Sequence, residues 1–160
     1  AEFANLDLEI VESAGHTVRW VRNEAVKRGA EVIFVDYLTI VKSHGNGRYE
    51  MTTNAINELH VMAQNEKIVT IVLAQINRQA AAQAPTVADL KESGGIEEAS
   101  DMIILLHNAY EDGYKMILGK NKEGRVGTID CVFDSEKQTI RELGVDEDGF
   151  QDCSNEQLLF

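Results

Sequence analysis

The residues best placed to do chemistry stand at the ends of apolar runs. Asp36 closes the run Val32-Ile33-Phe34-Val35, and Gln75 closes Ile68-Val69-Thr70-Ile71-Val72-Leu73-Ala74, with Asn77 and Arg78 just beyond it. A carboxylate at the C-terminal end of a buried parallel strand lies where open α/β sheets bind ligands, and there it can hold Mg²⁺, usually through water, beside a nucleotide's phosphates. An aspartate in that position can equally be a turn former or a helix N-cap. Further on, Lys91-Glu92-Ser93-Gly94-Gly95 sets two glycines behind a cation, a backbone able to approach a phosphate closely, although an ordinary helix terminus reads the same way. Lys120 and Lys122 open a glycine-punctuated basic loop that runs to Gly127.

The elements that must carry these residues alternate in period. Leu6 to Glu12 alternates roughly between apolar and acidic residues and reads as a strand. Thr17 is a candidate N-cap for a helix over residues 18 to 28, whose apolar face is Val18, Val21, Ala25 and Val26, and Gly29 follows where a C′ glycine belongs. The Asp36 strand comes next, unbroken by polar residues and therefore expected to be buried on both faces. This succession is a βαβ crossover. Trp20 lies opposite Val18, on a packing edge or a subunit contact, with partial burial favoured. Lys42 to Arg48 is a polar, glycine-bearing loop, expected to be the most mobile piece. From Met51 to Asn65, Ile56, Leu59, Met62 and Ala63 recur at helical spacing, with His60 as an edge residue. Residues 79 to 86 form a loop and 87 to 90 a short turn. Asp101 to Leu106 is a third buried strand and Tyr114 to Gly119 a fourth. Thr128 to Phe133 is the partner strand of the basic loop, at the sheet edge.

The bulk numbers set limits. The sequence has 160 residues, 44% hydrophobic and 26% charged, enough for one domain with a real core. No apolar run reaches the roughly 20 residues of a membrane span and no signal peptide opens the chain, so a cytoplasmic protein is expected. Ala1-Glu2-Phe3 reads as a cloning scar, residues 1 to 5 as tag or linker, and residues 144 to 160 as an acidic tail. Of the two cysteines, Cys131 sits inside a strand and reads as a small core residue, and neither has metal-ligand spacing. A net charge of −12 argues against a broad non-specific grip on nucleic acid, but not against a local basic groove.

Four stretches occur in order: Val35-Asp36-Tyr37-Leu38, Leu73-Ala74-Gln75-Ile76-Asn77-Arg78, Asp89-Leu90-Lys91-Glu92-Ser93-Gly94-Gly95-Ile96-Glu97, and Lys120-Asn121-Lys122-Glu123-Gly124. Together they resemble the C-terminal half of the RecA-like motor domain of DnaB-type replicative DNA helicases, over about Leu6 to Leu143. Stretch 89–97 fits those helicases better than recombinases or circadian-clock relatives of the same fold. The resemblance implies an α/β fold, a mostly parallel sheet flanked by helices and truncated at its N-terminal side, with a C-terminal antiparallel hairpin. It implies ATP and Mg²⁺ as cofactors, and single-stranded DNA and further helicase subunits in a hexameric ring as partners. By the same resemblance Asp36 matches the Walker B aspartate that supports Mg²⁺ through water. Gln75 matches the glutamine that senses the γ-phosphate. Lys120 and Lys122 match the basic pair that reaches the neighbouring subunit's nucleotide. Arg78, Lys91, Glu92 and Gly94 fall on the side that follows the DNA backbone.

Two departures stand out. The family usually has arginine where Lys122 stands, and lysine offers a point charge where arginine offers a bidentate fork; Arg125 is three residues away. No stretch reads G-x-x-x-x-G-K-[ST], and in the family that phosphate loop and the catalytic glutamate lie upstream of the point matching Leu6. The chain on its own is therefore expected to bind ATP poorly and hydrolyse it hardly at all. The alternative function is a non-catalytic RecA-like module that docks on a helicase ring and modulates it. In RecA-like sheets the missing strand is central, so its absence leaves two strand edges facing a gap. Either residues 68–74 pair directly with 102–106, or a second copy supplies the contact.

Overall fold

The computed structural model describes residues 7–76, 84–90, 93–108 and 113–144. They form two units. The first takes the described residues of Ala1–Gln75 with Gly94–Ala99, and the second those of Ile76–Ser93 with Ser100–Phe160.

In the first unit, helix α1 (Val18–Arg28) starts and stops where side-chain chemistry says it should. The Thr17 hydroxyl accepts from the Trp20 backbone N–H, and Gly29 takes the left-handed conformation (φ 65°), its N–H donating to the last turn. Val18 and Ala25 are buried, while Val26 is exposed. Trp20 is half-buried and stacks on His16, ring centroids 4.0 Å apart. Strand β1 (Val32–Val35) follows, then a 3₁₀ turn (Leu38–Ile40), helix α2 (Arg48–Glu66) and strand β2 (Val69–Val72), which pairs parallel to β1 with Val35 opposite Val72. α2 lies against α1, β2 and the 3₁₀ turn, burying Thr52, Ala55, Ile56, Leu59 and Met62. Each of the larger apolar side chains contributes on the order of 1.5–3 kcal/mol by leaving water. His60 is half-buried. The loop before α2 is tied to it. Ser43 Oγ donates to Glu58 Oε1 (2.9 Å), Asn54 Nδ2 to the His44 carbonyl (2.9 Å), and the Asn46 N–H to Glu50 Oε2 (2.8 Å).

In the second unit, β3 (Met102–Asn108), β4 (Tyr114–Asn121), β5 (Gly127–Asp134) and β6 (Thr139–Glu142) form an antiparallel sheet in that order. Cys131 is buried and free. A 3₁₀ turn (Val87–Asp89) is closed by Asp89, whose carboxylate accepts from the N–H and hydroxyl of Thr86, both at 2.8 Å. The chain is thus α/β, a parallel pair with helices and a C-terminal antiparallel sheet.

Four expectations are corrected. Residues 7–12 form no strand, and Leu8, Ile10 and Val11 are exposed, because alternation makes a strand only where a ladder partner exists. The Asp36 strand is covered on one face only: Val35 is 6% exposed but Phe34 63%. A continuous apolar run signals burial on both faces only where both covering layers are present. β3 likewise alternates, with Ile103 and Leu105 buried and Met102, Ile104 and Leu106 exposed. The expected hairpin forms, β4 against β5, but β5 is not the sheet edge, since Thr139-Ile140-Arg141-Glu142 adds an edge strand after a turn in which Gln138 has φ 53°. Within each unit, among the described residues, β2 pairs with β1 and β3 with β4.

Candidate functional site

Parallel pairing brings two of the expected residues to one end of one sheet. The Leu73 N–H donates to the Val35 carbonyl (3.0 Å) and the Leu38 N–H to the Leu73 carbonyl (2.9 Å), so the chain after β1 runs beside the chain after β2. Asp36 and Gln75 both leave their strands at this C-terminal end, and both are exposed. The Asp36–Tyr37 peptide is cis. Behind them the Val35 and Leu38 side chains are buried, which fixes where the loop starts. The sequence alternation thus sends the apolar neighbours inward and leaves the carboxylate in solvent.

What this end can do follows from its donors. One carboxylate fits Mg²⁺ held mainly by water and phosphate oxygens, because the ion prefers one or two carboxylates and keeps much of its hydration shell. It does not fit an all-protein metal cage, and among the described residues no cluster of three histidine, cysteine or acidic side chains exists. The Gln75 amide can donate to a phosphate oxygen with its NH₂ and accept from a loop with its carbonyl. Neither residue cradles a phosphate chain, a task that needs converging backbone N–H groups.

The other expected residues are distributed differently. Lys120 and Lys122 belong to the second unit, at the end of β4 and in the turn after it. The Lys122 ammonium sits 2.5 Å from Asp101 Oδ1, and its backbone N–H donates to the Asp101 carbonyl (3.0 Å). Both side chains are solvent-exposed, so the ion pair is worth about 0–1 kcal/mol and can be exchanged for a phosphate at little cost. Asp101 was not singled out in the sequence. No sequence signal gave it: the register that sets Asn108 opposite Tyr114 would place Asp101 across from Asn121, and a shift between Ile103 and Ile104 pairs Met102 with Asn121 and so brings Asp101 to Lys122. Arg78, Lys91 and Glu92 lie outside the described residues. Gly94 lies in the first turn of helix α3 (Ser93–Ala99). Gly95 is buried there, and a Cβ on it would stand 2.6 Å from Thr53 Cγ2 and 2.8 Å from Thr53 Oγ1. Its lack of a side chain serves the packing of α3 on α2, so of the two readings offered for the glycine pair the helix terminus accounts for Gly95.

The comparisons agree with one another. The family model for the DnaB-like helicase C terminal domain matches residues 1–142. The chain is 32% identical over 115 residues to the replicative DNA helicase DnaB of Treponema pallidum (strain Nichols), covering 70% of this chain and 26% of that protein. It is 29% identical over 150 residues to the replicative DNA helicase DnaB of Pasteurella multocida (strain Pm70), covering 82% of this chain and 32% of that one. The chain therefore spans between a quarter and a third of these relatives. Among solved structures it is similar to an ATPase domain solved on its own, with TM-score 0.80, 25% identity, and coverage of 89% of this chain and 57% of that one. It is also similar to a DnaB-like replicative helicase solved for its interactions with primase, with TM-score 0.79, 25% identity, and coverage of 87% and 38%. A family model spanning almost the whole chain settles its membership: the chain belongs to the DnaB-like helicase C-terminal domain family.

Proposed function

We propose that residues 6–143 are the Asp36- and Gln75-bearing part of an ATP-driven helicase motor that works in the cytoplasm on single-stranded DNA as a hexameric ring, with 1–5 a linker and 144–160 an acidic tail. The observation that carries this reading is the placement of Asp36 and Gln75 at the same end of adjacent parallel strands, in a chain of this family. In this reading Asp36 holds Mg²⁺ through water and Gln75 contacts the terminal phosphate. Bound MgATP supplies the phosphoryl group whose transfer to water drives the motor. Lys120 and Lys122 reach the nucleotide of a neighbouring subunit, Lys122 leaving Asp101 to do so. Arg78, Lys91, Glu92 and Gly94 follow the DNA backbone without reading bases.

The sequence holds no G-x-x-x-x-G-K-[ST] loop, so the 160-residue chain does not itself retain the phosphates. The test is a chimera in which residues 6–143 replace the matching stretch of the Treponema pallidum helicase. Its Mg²⁺-dependent ATP hydrolysis should fall about 10–100-fold with Asp36→Ala, the range seen when an outer-sphere partner of a metal is lost. Hydrolysis unchanged by Asp36→Ala would refute the assignment. The same missing motif favours a second reading, a non-catalytic module that docks on a helicase ring. That reading predicts that the chain binds an intact helicase ring, with the Asp36→Ala variant binding as well as the natural one.

A further inference from the structure

We propose that Asn46–Gly47 is a self-modifying site. In the folded chain the Asn46 carboxamide is lost by reaction with its own backbone, and the aspartyl and isoaspartyl products unfasten the loop that precedes α2.

The two residues stand where such a reaction is open. Asn46–Gly47 is the one Asn–Gly pair in the sequence, and both residues are exposed. The backbone on either side is held: the Asn46 N–H donates to Glu50 Oε2 (2.8 Å), and the Met51 N–H donates to the Gly47 carbonyl (3.0 Å). The groups between these anchors are not. Among the described residues neither the Asn46 carboxamide nor the Gly47 N–H has a hydrogen-bond partner, so electrophile and nucleophile are adjacent and unengaged.

The two glycines of this loop differ in what requires them. A Cβ on Gly45 would stand 2.8 Å from the Met51 nitrogen, and Gly45 has φ 154°, so packing and backbone both demand glycine there. A Cβ on Gly47 would meet nothing within 4 Å, and its φ of −167° suits any residue. As the N-cap of α2 it makes no side-chain cap, where Ser, Thr, Asp or Asn would satisfy a first-turn N–H. What glycine does supply at 47 is an N–H with no side chain to shield it.

The chemistry balances with water as the only co-reactant. The Gly47 nitrogen gives its proton to solvent base and attacks Cγ of Asn46. The Cγ–Nδ2 bond breaks, and Nδ2 takes a proton from water and leaves as ammonia. Water then opens the cyclic imide. Breaking its bond to Cγ gives aspartate; breaking its bond to the backbone carbonyl carbon gives isoaspartate, whose main chain runs through the former side chain. Either product makes the net charge of −12 one unit more negative. The new carboxylate belongs to the residue whose N–H Glu50 accepts, so two like charges share one turn and repel. Isoaspartate also adds a main-chain carbon between the Glu50 anchor and the cap of α2.

Ageing the folded 160-residue chain in mildly alkaline buffer, without nucleotide, tests this. Trypsin cuts after Lys42 and Arg48 and releases residues 43–48 with Asn46 inside. That peptide should exchange NH for O in its mass, faster at higher pH, and an isoaspartyl methyltransferase should label a share of it. The conversion should run about tenfold or more faster than at any other asparagine, and Gly47→Ala, whose methyl meets open space, should slow it about tenfold or more. The Met51 amide should exchange faster in the aged chain than in the fresh one, and Gly47→Ala aged alongside should not show this. Asn46 intact while other asparagines convert, conversion confined to the urea-unfolded chain, or an equal rate in Gly47→Ala would each overturn the site. Unchanged Met51 exchange in the converted chain would overturn the unfastening.

Discussion

At Gly95 a single hydrogen decides how closely two helices approach. Alanine in place of a helix-interior glycine gains roughly 1 kcal/mol in propensity. Here the added methyl would meet three Thr53 atoms at 3.0 Å or less, and a β-branched side chain cannot turn away from all of them. Overpacking of this kind costs about 1–3 kcal/mol, so Gly95→Ala should lower stability in urea unfolding. Thr53 Oγ1 is buried with no hydrogen-bond partner among the described residues, so Thr53→Ala should be tolerated and should turn Gly95→Ala from destabilising to neutral or better. Acid behaviour is also set at single residues. The Thr86 backbone N–H holds the Asp89 carboxyl below its ordinary value of 3.8, and the Lys137 N–H does the same for Asp134. A carboxyl depressed in the folded chain stabilises fully above its unfolded value and loses that contribution as pH falls through the folded one. Stability measured against pH should therefore drop progressively below about pH 4, and Asp89→Asn should flatten part of the drop. At this scale the placement of Asp36 and Gln75 beyond the ends of neighbouring strands was legible, because a polar residue ends an apolar run there. The Asp101–Lys122 pair and the Thr53–Gly95 contact were not, because each depends on which elements become neighbours.

At the scale of elements, α1 was readable to the residue because its ends are local: Thr17 accepts from the first turn and Gly29 supplies the left-handed close. The core of α2 was readable from its spacing, and Leu59, 1% exposed, is its anchor. Leu59→Ala should cost about 2–5 kcal/mol, visible as a lower urea midpoint with the slope unchanged. The strands were harder. Their composition marks them, but which faces are covered depends on layers outside the strand, so β1 and β3 read as doubly buried and are not. Residues 7–12 show the same dependence, since their alternation finds no ladder. β6 was missed because four residues after a tight turn give too short a pattern to separate from loop.

At the scale of the whole molecule, the chain belongs to the DnaB-like helicase C-terminal domain family and spans between a quarter and a third of the relatives it matches. The proposed site is half a site: Asp36 and Gln75 leave neighbouring strands at one end, and no G-x-x-x-x-G-K-[ST] stretch is written in the sequence. Titration of a fluorescent ATP analogue with Mg²⁺ into the 160-residue chain, beside its Asp36→Ala variant, tests this division most directly. The expected result is no saturable binding up to millimolar nucleotide for either protein. Micromolar binding by the chain, lost in Asp36→Ala, would contradict it by showing that the chain holds a phosphate cradle of its own.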